Sequence, residues 1–244
     1  ISRLGETITS NGSNFNLGIA LAISGDGNTI VIGAPAQGLH STEEGTAQVL
    51  KWTPSTNGDG QWVEMPMYFG QTFESGSGVG DGMGTSVALN HSGGYLAIGT
   101  PSTGQVRMYT YLNHPNSWDT NGDPVIGWAE WGNISDGGIG SQKSLAIKTY
   151  FDDSTGTSKV MIIAGAVHPA IGGGTGAVHF WEKDLTTYGT SYRTTIPGEA
   201  AGDGAGVVAI DSTGDIIAVG APYNDSESLD GGHVRVWYWD RQAS

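Results

Sequence analysis

Apolar residues alternate with small or polar ones along this chain in short runs that recur in a fixed order. Leu21-Ala22-Ile23, Val87-Ala88-Leu89, Leu145-Ala146-Ile147 and Val208-Ala209-Ile210 open that order. Each is followed by a run ending on glycine: Ile30-Val31-Ile32-Gly33, Leu96-Ala97-Ile98-Gly99, Ile162-Ile163-Ala164-Gly165 and Ile217-Ala218-Val219-Gly220. Period-two alternation over so few residues marks strands. Between the paired runs stand Ser24-Gly25-Asp26-Gly27-Asn28, His91-Ser92-Gly93-Gly94 and Asp211-Ser212-Thr213-Gly214-Asp215. Asp-Gly and Ser-Gly supply the positive φ of tight hairpins, so the two runs are expected as antiparallel neighbours. After a variable loop comes a third run: Gly45-Thr46-Ala47-Gln48-Val49-Leu50, Gly104-Gln105-Val106-Arg107-Met108-Tyr109, Gly176-Ala177-Val178-His179-Phe180-Trp181 and Gly232-His233-Val234-Arg235-Val236-Trp237. Its β-branched and aromatic residues suit a half-buried strand.

A fourth, weaker run follows at Trp62-Val63-Glu64-Met65-Pro66 and Trp128-Ala129-Glu130-Trp131-Gly132, and in reduced form near Tyr192-Arg193-Thr194. The glycines closing the second runs lie 66, 66 and 55 residues apart, and self-similarity of this kind signals a repeat architecture. Four strands per unit, repeated radially, form the blade of a β-propeller. The expected fold is therefore all-β: one propeller domain over 1–244, with four blades of four antiparallel strands and repeats near 1–61, 62–127, 128–187 and 188–244. The last unit has no outer run of its own. Ile1-Ser2-Arg3-Leu4-Gly5 carries that pattern, so the N-terminal strand is expected to pair with 234–239 and close the ring.

With the units aligned, the pattern resembles the FG-GAP repeat family, the β-propeller units best known from the head of integrin α chains. The resemblance rests on Gly33-Ala34-Pro35, Gly220-Ala221-Pro222 and the Gly-x-Val/Ala third strands. Its fullest form is Gly198-Glu199-Ala200-Ala201-Gly202-Asp203, then Gly220 to Asp225, then Gly232 to Trp237, similar to a long repeat of bacterial and algal surface proteins. The resemblance implies an extracellular or cell-surface binding or adhesion module. Two departures accompany it. Family propellers usually have seven blades, and four units are present here. The integrin-type calcium loop, Asp-x-Asp-x-Asp-Gly-x-x-Asp between first and second strands, is not reproduced. The first such turn offers Asp26, the second no acid, the third Asp152 and Asp153, and the fourth Asp211 and Asp215. Calcium takes roughly six to eight oxygen ligands, so these turns read as plain hairpins; no cofactor is expected, calcium being the one weak candidate.

Composition narrows the partners. Ten Lys and Arg face 24 Asp and Glu, a formal charge of −14. A nucleic acid or an anionic membrane would gain no counterion release on such a surface, so neither is expected. No apolar run approaches the ~20 residues that span a bilayer, so no membrane insertion is expected. Cysteine is absent, which removes disulfides and thiolate metal sites. Asn-x-Ser/Thr sequons at Asn11, Asn90, Asn133 and Asn224 are candidate N-glycosylation sites and point mildly to a secreted protein.

Catalytic constellations are missing. Gly172-Gly173-Gly174-Thr175-Gly176-Ala177 imitates a dinucleotide fingerprint, but a strand follows it where a helix N-terminus is required. The six histidines show no metal-ligand spacing, and His179 and His233 share a strand parity with Arg107 and Gln48 that suggests exposed polar positions. No Gly-x-Ser-x-Gly elbow occurs. The long loops joining second to third strands share a face with the links between blades, and function on a rigid scaffold gathers in such loops. There Asp81 and Asp203 hold equivalent inter-blade positions, opposite Tyr223, Asn224, Asp225 and Asp230; these six are the candidate ligand-binding residues, although Asp in such loops also caps its own turn. The leading expectation is a non-enzymatic module that binds a protein or glycan, or builds an assembly. A structural subunit of a larger complex and a divergent hydrolase using loop carboxylates are the alternatives.

Overall fold

The structure, a computed structural model, describes residues 2–9, 16–35, 45–56, 60–66, 73, 80–118, 124–135, 144–166, 174–187 and 189–240. Four antiparallel sheets follow one another as blades of a β-propeller. Blade one holds β1 (Ala20–Ile23), β2 (Thr29–Ala34), β3 (Thr46–Pro54) and β4 (Gly60–Glu64). Blade two holds β5 (Ser86–Leu89), β6 (Tyr95–Thr100), β7 (Gln105–Trp118) and β8 (Pro124–Ser135). Blade three holds β9 (Leu145–Asp152), β10 (Thr157–Ala166), β11 (Ala177–Asp184) and β12 (Thr190–Pro197). Blade four holds β13 (Val207–Ile210), β14 (Ile216–Ala221) and β15 (His233–Tyr238). Each strand pairs with its neighbour in sequence, as the hairpin signals require. Each full blade closes on its outer strand, so the repeats divide somewhat later in the chain than the sequence spacing places them.

Three of the four turns between first and second strands share a side-chain device. Ser24, Asn90 and Asp211 occupy the same slot, and each accepts a backbone N–H from the start of the following strand: Thr29 at 2.9 Å, Tyr95 at 2.9 Å and Ile216 at 3.0 Å. That bond fixes the hairpin register, and register decides which alternate residues face which neighbour.

Hydrophobic cores form between blades. The middle residue of each inner strand looks forward to the next blade, and its flanking residues look back. Ala22, Val31 and Val49 of blade one thus meet Val87, Leu96 and Ile98 of blade two. Ala88, Ala97 and Met108 meet Ile147, Ile162 and Trp181. Ala146, Ile163 and Phe180 meet Val208, Ile217 and Val219. The backbones also cross closely. A Cβ on Gly33 would lie 1.9 Å from the carbonyl oxygen of Gly84, and one on Gly165 would lie 1.7 Å from that of Gly206. Only glycine fits there.

Closure differs from the sequence expectation. Among the described residues 2–9 no strand forms, and the segment lies on blade one, where Trp62 Nε1 donates to the Leu4 carbonyl at 3.3 Å and Gly5 abuts Trp52. Among the described residues blade four therefore keeps three strands, with β15 as its outer edge. The N-terminal residues have a strand-like composition, but their partners here are the Trp52 and Trp62 indoles of blade one.

Candidate functional site

The expected loop residues gather on blade four, with Asp81 at the equivalent position of blade two. The equivalence is physical: the Asp81 carbonyl accepts from Ser102 N at 3.4 Å, and the Asp203 carbonyl accepts from Tyr223 N at 3.2 Å. Both aspartates are buried. The Asp203 carboxylate accepts from Asn224 Nδ2 at 2.8 Å and Ala200 N at 2.9 Å. The Asn224 amide, then the Ala200 N–H, hold its pKa below the usual carboxylate range. Asn224 is buried too, and its Oδ1 accepts from Ser226 N at 3.0 Å. Asp225 accepts from Asp230 N at 2.6 Å and draws in the loop tip, where Asp230 takes a φ of +51°. Tyr223 stands exposed above them. Asp203 and Asn224 thus pin the inter-blade link to the loop between β14 and β15, which leaves Tyr223, Asp225 and Asp230 facing solvent.

The turn acids behave the same way. Asp26 accepts from Ser24 Oγ at 2.5 Å and Asn28 N at 3.0 Å, bonds that lower its pKa to about 2. Asp211 accepts from the N–H groups of Thr213, Gly214, Asp215 and Ile216, and is held well below the usual range by the Thr213 hydroxyl first and the Ile216 amide next. Among the sequons, Asn90 is fully buried and its amide reaches Ser92 at 2.8 Å and Thr149 of the next blade at 3.2 Å. With Asn224 also buried, neither has room for a glycan in this fold. Asn133 is exposed on β8, and Asn11 lies outside the described residues, as does most of the glycine-rich stretch at 172–174.

His179 departs from the expected exposed position. It is buried, stacked on Trp181 with ring centroids 5.6 Å apart, and bonded to Thr195 at 3.1 Å. Sequence reasoning also passed over a buried charged group on blade three. Lys159 pairs with Asp152 and lies 4.0 Å from Glu182, which takes a hydrogen bond from Tyr150. Lys183 donates to the Trp131 carbonyl at 2.6 Å and sits 4.3 Å from that indole ring, tying blade three to blade two. Burial pushes the Lys183 ammonium below its usual range. The signal was present as charges placed inside strand-length runs, at Lys159 and at Glu182-Lys183.

An open site lies between blades three and four, at their outer ends. A groove of about 450 Å³ is lined by Phe180, Thr194, Ile196, Trp237 and Trp239. At one end Arg235 donates to Glu199 at 3.0 Å and to the Pro197 carbonyl at 2.9 Å, with His233 Nδ1 3.8 Å from Glu199. The free edge of β15 borders it. A strand added to that edge would extend blade four to the size of the others and send alternate side chains into the groove.

No protein-family model and no curated protein sequence matches the chain. The four blades define the class: this is a β-propeller. The structure of Chaetomium thermophilum Sqt1 bound to the N-terminus of the ribosomal protein L10 is similar at 16% identity and a TM-score of 0.50, covering 88% of this chain and 44% of that one. The tricorn protease structure is similar at 9% identity and a TM-score of 0.46, over 90% of this chain and 21% of that one. The acylaminoacyl peptidase of Pyrococcus horikoshii follows at 10% identity and a TM-score of 0.38, over 86% and 29%. The chain spans less than half the length of each of these solved chains.

Proposed function

We propose that this propeller is a non-enzymatic, extracellular or cell-surface module that captures a partner protein by taking an extended segment onto the free edge of β15. The observation that carries the reading is the edge itself. β15 alternates Val234, Val236 and Tyr238 with Arg235 and Trp237, and no strand covers it among the described residues. An uncovered apolar edge is a hazard that proteins ordinarily blunt, and a partner strand removes it. The groove supplies side-chain pockets, and the Glu199–Arg235 pair at its end supplies polar selection. The loop carboxylates support the non-enzymatic reading, since Asp26, Asp203 and Asp211 are spent on their own backbone. A surface setting draws support from the acidic composition and from the exposed sequon at Asn133.

Panning a random peptide display library against the chain tests this. Selected peptides should alternate apolar and polar residues, slow hydrogen exchange along 234–238, and bind at least tenfold more weakly to Trp237→Ala. Peptides whose binding leaves 234–238 unprotected, or survives that substitution unchanged, would refute the edge as the capture site.

A further inference from the structure

Among the described residues the propeller is an open arc. Its inner strands pack in sequence, β1 on β5, β5 on β9 and β9 on β13, and no comparable packing joins β13 back to β1 among the described residues. One sheet face at each end is therefore left without a neighbouring blade among the described residues, the N-terminal segment meeting only the Trp52 end of blade one's face. On blade one the backward-looking residues are Leu21, 66% exposed, and Ile23, 60% exposed. Their counterparts Val87, Ile147 and Val208 are all packed against a preceding blade. On blade four the forward face carries Val234 at 67%, Val236 at 65% and Tyr238 at 71% exposure. Pairing sets Val236 beside Ala218 and Ala209, the same forward-looking row that buries Ala88, Ala97 and Met108 in blade two.

The backbone repeats the point independently. Gly18, Gly84 and Gly206 each donate to the carbonyl of the glycine ending the second strand of their own blade, at 3.0, 3.0 and 3.1 Å. Gly84 and Gly206 also press their carbonyls against Gly33 and Gly165 of the preceding blade. Gly18 is uncrowded: a Cβ there would meet nothing within 4 Å, whereas one on Gly84 would lie 2.2 Å from the Thr46 carbonyl of the preceding blade. Gly220, the counterpart of Gly33 and Gly165, would find only Val207 of its own blade, at 3.4 Å. Both halves of the close-approach device are present, one at each end of the arc, and neither is engaged.

We propose that the chain associates head to tail with a second copy of itself, blade four of one copy stacking on blade one of the next. The surface that fits each end face is the one present at the opposite end, because the three internal interfaces repeat that same forward-to-backward match. Such contacts are heterologous, so copies form a closed ring or a longer chain according to the rotation between them. The end faces carry no charge at their centres while the whole chain carries −14, so repulsion disfavours other contacts between copies and leaves these faces as the site of association.

Sedimentation velocity on the chain over a dilution series tests the proposal. The expected mass is at least twice the 25.3 kDa of one chain, and added salt should not dissociate it. Val236→Lys and Leu21→Lys, both at exposed positions, should each give folded monomer by circular dichroism. Mixing these two variants should restore one intact junction and yield a species of two chains. Gly220→Ala, harmless within one chain, should weaken association at least tenfold. A folded wild-type monomer at every concentration would overturn the proposal. So would loss of association in only one of the two lysine variants, which would mean an isologous contact.

Discussion

At the residue scale, the carboxylates of this acidic chain are structural fastenings more than ligands. Asp211 alone receives four backbone N–H groups of its own turn, and Asp26 and Asp152 are similarly engaged. Such bonds favour the ionised form, so folded pKa values lie below the unfolded value of about 3.9. The sign follows from linkage: below that value the unfolded chain binds more protons than the folded one, so stability falls as pH falls. The loss should run from about pH 4 downward through the Asp26 value of about 2. Asp211→Asn keeps an acceptor oxygen without the titration, so its melting temperature should decline less steeply over that range than the wild type's. Parallel decline in thermal scans at stepped pH would show that Asp211 does not contribute. This role was only partly legible beforehand. Asp-x-Thr-Gly identifies a turn, but whether the carboxylate caps it or faces a ligand depends on where the backbone N–H groups converge. For Asp203 that depends on Asn224, 21 residues away.

At the scale of elements, the alternation of apolar residues was enough to place the hairpins, since each run is short, bounded by turn residues and paired with its neighbour. Burial was less legible. His179 reads as a polar-face residue because strand parity says nothing about what the outer strand β12 brings over it. Leu21 and Val87 hold the same position in the repeat, yet one is exposed and the other buried, because Val87 is packed against the blade before it. The glycines ending the second strands were legible as a repeat, and their cause is the backbone crossing between blades. A prediction separates cause from pattern. Gly165→Ala forces a Cβ against the Gly206 carbonyl, and neither backbone can retreat without parting the blades. A loss of roughly 2–3 kcal/mol is expected from overpacking of this kind, measured by urea denaturation. Gly220→Ala, at the same repeat position with only Val207 near, should leave the stability of the single chain within about 0.5 kcal/mol of wild type. Equal losses at the two positions would assign the glycines to strand propensity rather than to blade contact.

At the scale of the molecule, the decisive feature is that the two ends of the arc are not joined among the described residues. The N-terminal segment, which the sequence pattern assigns to the last blade, instead rests on the edge-to-face pair of Trp52 and Trp62, whose ring centroids are 5.4 Å apart. A five-residue run carries composition but no address; the apolar surface it meets is that of Trp52 and Trp62 on blade one. Removal of residues 1–9 distinguishes the two placements. If the segment covers blade one, the truncated chain should show altered tryptophan fluorescence from newly hydrated Trp52 and Trp62, and hydrogen exchange along 60–64 should quicken. Exchange along 234–238 should stay as in the full chain, because no outer strand has been taken from β15. The opposite pattern, with fast exchange confined to 234–238 and an unchanged emission spectrum, would restore the N-terminal segment to blade four and close the arc that the end faces leave open.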